Sequence, residues 1–227
     1  MEVHSDGQTL VACEPIMKMK VQLTVEQRVA QPEIAPVAVN GTGRVERVNQ
    51  RAAGVQRTER VRPRRLGHIA LISGESGSSL KFFTDGLGFK VTDYAENKAN
   101  AFMRCSADHH NVAIFGGPAS FPHHSSWQVE DIDEIGRGAE DLLTAKPERQ
   151  GWGFGRHYTG SNFFWYLRDP AGTFSEYYAD MDQITDDDLW TPEVCEGKSG
   201  LYNWGPALPA DFMAPADVAE IIAAQSE

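Results

Sequence analysis

The chain has 227 residues and carries 21 Lys/Arg against 32 Asp/Glu, a net charge of −11 that is unevenly spread. Residues 1–65 hold 11 basic and 7 acidic side chains, net +4, whereas residues 66–227 hold 10 and 25, net −15. An acidic body argues against phosphate-backbone binding, which needs a basic face. No apolar run approaches the roughly 20 residues of a membrane span, so neither nucleic acid nor membrane is an expected partner.

Residues 1–65 show little pattern. The opening lacks a basic start followed by an apolar core, so no secretory signal is read there. Residues 17–29 (MKMKVQLTVEQRV) alternate in places and predict one strand. The stretch that follows is rich in Pro, Gly and Arg and poor in aromatics. That composition predicts an extended arm or linker over residues 1–65.

At Leu66 the texture changes. LGHIALIS (66–73) predicts a strand, SGSSLKFFTDG (76–86) a short helix, and 89–95, 100–105 and 110–115 three further strands. The order then repeats. HHSSWQV (123–129) predicts a strand and 131–145 an amphipathic helix with acidic residues at its start and Ile132, Ile135, Ala139, Leu142 and Leu143 on one side. A short glycine-rich segment, 151–157, precedes strands at 162–168 and 173–181, joined by an Asp-Pro-Ala-Gly turn. The predicted class is therefore α+β, two βαβββ modules forming a cupped mixed sheet over residues 66–182. Residues 183–227 hold Trp190, Tyr202, Trp204 and Phe212, too many aromatics for disorder. They predict a tail that packs back on the sheet, near the mouth of any pocket, and ends in a short helix at 214–224.

Three polar residues stand out in apolar strands: His68, His124 and Glu176, separated by 56 and 52 residues. Strand alternation lets only one of His123 and His124 face a shared site, and His124 is the expected one. His109 and His123 are then expected on the opposite face, as packing or surface residues. Two imidazoles and one carboxylate half-fill an octahedral metal site. The open positions can take a chelating substrate and dioxygen, the pattern of non-haem Fe(II) oxygenases. Cys13, Cys105 and Cys195 are far apart, without a CxxC pair, and read as reduced thiols of a cytoplasmic protein.

These segments resemble the vicinal oxygen chelate superfamily, and more narrowly the catalytic domain of type I extradiol ring-cleaving dioxygenases. LGHIAL is similar to the family's first-ligand strand (His68). The His123-His124 pair resembles its second-ligand pair (His124), and PAGTFSEYY its third-ligand hairpin (Glu176). ADHHN resembles a loop whose second histidine, His110, lies over the dioxygen site. GRHYTGSNFFWY resembles the segment carrying a histidine and a tyrosine near the substrate oxygens, His157 and Tyr166. The resemblance implies Fe(II), with Mn(II) suiting the same ligands, a small aromatic diol and dioxygen as partners, and a homo-oligomer. It departs from the family at the N-terminus, because residues 1–65 cannot hold the two further modules that family members usually carry. A glyoxalase-like lyase or epimerase, or a non-catalytic binding member, is the alternative. The lyases and epimerases generally draw a further ligand from the other module, and HNVAIFGG offers no Glu for it.

Overall fold

The computed structural model describes residues 3–5, 9–95 and 98–225. Its centre is a nine-stranded mixed sheet built from two copies of one four-stranded module and one added strand. The chain enters through a small meander of β1 (Val3–Ser5), β2 (Thr9–Cys13) and β3 (Lys20–Thr24), and a single helical turn, α1 (Ala53–Gln56). The first module is β4 (Arg65–Ser73), α2 (Ser76–Lys81, continued by a π-helical turn at Phe82–Gly86), β5 (Lys90–Ala95), β6 (Asn100–Arg104) and β7 (Val112–Gly116). The second is β8 (Phe121–Gln128), α3 (Ile132–Ala145), β9 (Gln150–Arg156), β10 (Phe163–Arg168) and β11 (Phe174–Ala179), followed by β12 (Val194–Cys195) and α4 (Val218–Gln225). The strand order is β12-β5-β6-β7-β4-β8-β11-β10-β9. Each module thus pairs its last strand in parallel with its own first strand, β4 with β7 and β8 with β11. The two first strands meet antiparallel at the centre.

That register puts the polar residues of the strands in one row. His68 lies opposite Ser126, Ser126 opposite Glu176, Glu176 opposite Tyr166, and Tyr166 opposite Trp152. Directly opposed residues share a face, so five strands present this row to the same side. His124, two residues from Ser126, shares that side. Ser126 is fully buried and small, which leaves room above it for the longer side chains.

The predicted helices form with small differences. Asp131 caps α3 by accepting the Glu134 N–H at 3.1 Å. Ile135, Gly138 and Ala139 are its buried face, packed with Val61, Val129 and Ala179, while Ile132 is 43% exposed. Most of the glycine-rich 151–157 is the edge strand β9, and Gly151 must be glycine there because a Cβ would meet the Tyr166 carbonyl oxygen at 2.6 Å.

The N-terminal region departs from the extended arm expected over residues 1–65. Strands β2 and β3 place Ala12, Met17, Met19 and Val21 against the Leu71, Phe82, Phe83 and Ile114 cluster of the first module. Glu14, fully buried, locks the meander down. Its Oε1 accepts Ser79 Oγ–H at 2.7 Å and its Oε2 accepts the N–H groups of Ile16 and Met17 at 2.9 and 2.5 Å. The sequence hid this because the meander has few large apolar residues of its own and finds its core in α2. Residues 25–40 carry no helix or strand and are almost wholly exposed.

Deleting residues 1–24 should therefore lower the thermal midpoint, and Glu14→Ala should destabilise the chain by about 2–3 kcal/mol by leaving buried donors unsatisfied. Urea unfolding of both variants measures it, and unchanged midpoints would mean that the meander is not part of the fold.

Candidate metal centre

Three side-chain atoms converge above Ser126. His68 Nε2 is 3.1 Å from Glu176 Oε2, His124 Nε2 is 3.6 Å from the same oxygen, and the two imidazole nitrogens are 3.3 Å apart. All three residues are buried, at 3%, 8% and 0% exposure. Donors held ~2.1 Å from one small cation at right angles lie ~3.0 Å apart, so the triangle has the size of one face of a metal coordination sphere. Among the described residues, these three form the group able to hold a metal ion.

The hydrogen bonds around the triangle say which atoms carry protons. His123 Nε2 is 2.7 Å from the carbonyl oxygen of Phe212, which can only accept, so His123 donates there. Its Nδ1 is then bare and lies 2.7 Å from His124 Nδ1, which must be the donor. His124 Nε2 is left as a lone pair aimed at the triangle. Glu176 Oε2 is buried with no hydrogen-bond donor, while Oε1 accepts from Asn162 Nδ2 at 3.4 Å. A lone pair and a donor-free buried carboxylate oxygen facing each other at 3.6 Å are costly without a cation between them. The donor set therefore fits a divalent metal.

Electrostatics agree. Burial pushes the His124 imidazole well below its ordinary range, so it stays neutral, as a ligand must be. Burial alone would raise the Glu176 carboxyl. The histidines around it, His157 and His68 first, outweigh burial and hold it well below the usual carboxylate range. Burial lowers His110 well below its ordinary range and drops His123 to about 4.

His68, His110, His124, His157 and Tyr166 line one cavity, and Glu176 meets it through Oε2, 3.1 Å from His68 Nε2. The His110 ring is 4.2 Å from the His68 ring. His157 donates from Nδ1 to the Leu201 carbonyl at 2.5 Å, which leaves Nε2 to accept Tyr166 O–H at 3.1 Å. Burial, with the Glu176 charge beside it, raises the Tyr166 phenol well above its ordinary value, so it remains a neutral donor. The remaining walls are apolar: Phe102, Phe115, Trp152, Leu201, Phe212 and Met213.

Two expectations are corrected. His109 and His123 are neither surface nor simple packing residues. Both are buried and each hydrogen-bonds the histidine that follows it, ring nitrogen to ring nitrogen. The doubled His-His pairs at 109–110 and 123–124 are the sequence signal for this. Nothing in the sequence marks the carbonyls of Leu201 and Phe212, or Asp93 behind His109.

Residues 65–177 match the Glyoxalase/Bleomycin resistance protein/Dioxygenase superfamily. The chain is 39% identical over 167 residues to metapyrocatechase 2 of Cupriavidus necator, covering 72% of this chain and 52% of that one. It is 26% identical over 154 residues to the iron-dependent extradiol dioxygenase of Rhodococcus jostii, covering 62% and 50%. Among solved structures, the Mn(II)-bound glyoxalase from Novosphingobium aromaticivorans superposes with a TM-score of 0.59 at 30% identity, covering 76% and 56%. The chain spans about half the length of the curated relatives it matches.

His68→Ala, His124→Ala and Glu176→Ala should each abolish metal binding in equilibrium dialysis. His123→Ala should weaken it by about 10–100-fold, the usual cost of losing a group that orients a ligand. Metal binding unaltered in His124→Ala would remove the residue from the site. With metal chelated, His123 is neutral in the fold above about pH 4 but protonates near pH 6.5 when unfolded. The folded state should thus be most stable above pH 6.5 and lose about 3 kcal/mol from this residue as pH falls to about 4. Urea unfolding of the chelated chain at pH 4 and 7 checks the sign.

Proposed function

We propose that this chain, which belongs through residues 65–177 to the Glyoxalase/Bleomycin resistance protein/Dioxygenase superfamily, is a metal-dependent extradiol dioxygenase that opens the ring of a catechol-type aromatic with dioxygen. The observation that carries the reading is the buried triangle of His68, His124 and Glu176 donors, whose two histidines line an otherwise largely apolar cavity. Two neutral imidazoles and one carboxylate leave a divalent ion with one net positive charge and open positions, which suits a bidentate anionic diol. Fe(II) is the ion this reading assigns, with Mn(II) the alternative in the same ligands: one relative is named iron-dependent, another manganese-dependent, and one structural neighbour is Mn(II)-bound. Bound there, the ion would hold both diol oxygens beside dioxygen and let electrons pass between them.

The chain's own residues then divide the work. Phe102, Phe115, Trp152 and Phe212 exclude water and hold the ring. Tyr166 accepts a hydrogen bond from a diol hydroxyl while donating its own O–H to His157, so a proton leaving the diol can move to His157 Nε2. His110, across the cavity beside His68, is a second group able to hold a proton at the reacting oxygens. A lyase reading would call for a further carboxylate in the metal group, and none joins the three among the described residues.

The same reading makes the protein cytoplasmic and self-associating. Three free cysteines suit a reducing compartment. No helix among the described residues is long and apolar enough to cross a membrane. Leu66 and Trp127 pair across β4 and β8 at 49% and 36% exposure, an apolar patch suited to a second copy.

Oxygen uptake against a panel of catechols, with the chain loaded anaerobically with Fe(II), tests the activity. His157→Ala should keep its metal and lose about 10²–10⁴-fold in kcat, the range of a general acid–base group. Tyr166→Phe should cost about 0.5–1.5 kcal/mol, one neutral hydrogen bond. Loaded protein that consumes no oxygen with any diol would overturn the reading.

A further inference from the structure

The two His-His pairs are wired alike but end differently. His123 ends on the carbonyl of Phe212, a neutral group. His109 ends on a buried carboxylate that the proposed chemistry does not use. Asp93 Oδ2 is 2.9 Å from His109 Nε2, and Asp93 Oδ1 accepts the main-chain N–H of Glu193 at 2.8 Å. On the far side of the same ring, His109 Nδ1 is 3.0 Å from His110 Nδ1. His109 has no exposed surface and is held by Trp190 and Phe102, with ring centroids at 5.5 and 6.3 Å.

The proton positions follow from the chemistry of the groups. An ionised carboxylate only accepts, so a neutral His109 carries its proton on Nε2 and leaves Nδ1 bare. The 3.0 Å contact between the two rings is then a hydrogen bond donated by His110 Nδ1, and His110 Nε2 is a lone pair facing the cavity. We propose that Asp93 and His109 are positioning residues that hold His110 as a proton acceptor. This rests on the diol reading only in taking the proton to come from a bound hydroxyl. The proton moves from the hydroxyl oxygen to His110 Nε2, and the O–H bonding pair stays on the oxygen. The imidazolium so formed keeps its Nδ1–H on His109, with the Asp93 charge behind it. His124, wired to a carbonyl instead, has no such charge behind it and is left as a ligand.

The geometry makes Asp93→Asn an inverting substitution rather than a simple loss. The Glu193 N–H can be met only by the amide oxygen, so the amide nitrogen must face His109 Nε2 as a donor. His109 then holds its proton on Nδ1 and donates to His110 Nδ1, and His110 Nε2 becomes an N–H. Nitrogen-15 NMR of the full chain, histidine-labelled and free of paramagnetic ions, reads this directly, with His110→Gln assigning the signal. We expect His110 Nε2 to be unprotonated in the wild type and protonated in Asp93→Asn. With the loaded enzyme, Asp93→Asn should lower kcat about 10²-fold with KM within about twofold. A protonated Nε2 in the wild type would overturn the proposal even if the variant failed to fold. So would an unchanged tautomer in the variant, or an inverted tautomer with unchanged kcat. Wild-type protein with the expected tautomer but no oxygen uptake with any diol would sink the dioxygenase reading and leave the relay standing.

Discussion

The antiparallel pairing of β4 with β8 is the constraint on which the rest depends. It is the seam between two modules that are otherwise self-contained, and its register sets His68 opposite Ser126 and Ala70 opposite His124. A slip of one residue would turn either histidine to the other face. Parallel pairing of β8 with β11 then adds Glu176 on the far side of Ser126. The metal group thus comes from three adjacent strands, a rigid source for donors that must meet within a few ångströms.

Around that seam the protein fixes protons with carbonyls and one carboxylate. Phe212 and Leu201 lie far along the chain from the histidines they orient, yet their main-chain oxygens decide which nitrogen of His123 and of His157 carries hydrogen. The C-terminal segment therefore does two things at once. It supplies apolar walls through Leu201, Phe212 and Met213, and it sets the donor pattern of the site. Trp152, Tyr166, Phe174 and Phe212 pack as one buried aromatic cluster, which keeps that segment in place.

Pairs of adjacent histidines on extended backbone would ordinarily point to opposite faces. Here each pair lies near a strand end or loop, and the two rings turn toward each other through Nδ1. Each leading histidine becomes a spacer that carries the influence of a distant acceptor to a histidine at the cavity. The acceptor differs, a carbonyl for His124 and Asp93 for His110, and so does the charge each imidazole can sustain.

Much of the site was legible in the sequence. His68, His124 and Glu176 stood out because a titratable residue in an apolar strand is costly unless paired, and the repeated module order placed the two histidines on corresponding strands and Glu176 on the last strand of the second module. The module repeat itself followed from hydrophobic period and turn residues, which act locally. Of the meander at residues 9–24 only the strand at Lys20–Thr24 was legible, from the alternation of 17–29; the rest was not, because its core partner is α2, more than 50 residues away. Neither were the roles of His109, His123, Asp93 and the two carbonyls, since a hydrogen-bond direction depends on which group lies at the other end. Sequence by itself determined which side chains could bind a metal and in what order the strands would come. Only the tertiary structure decided which nitrogen of each imidazole faces the cavity, because that is set by acceptors the chain brings from elsewhere.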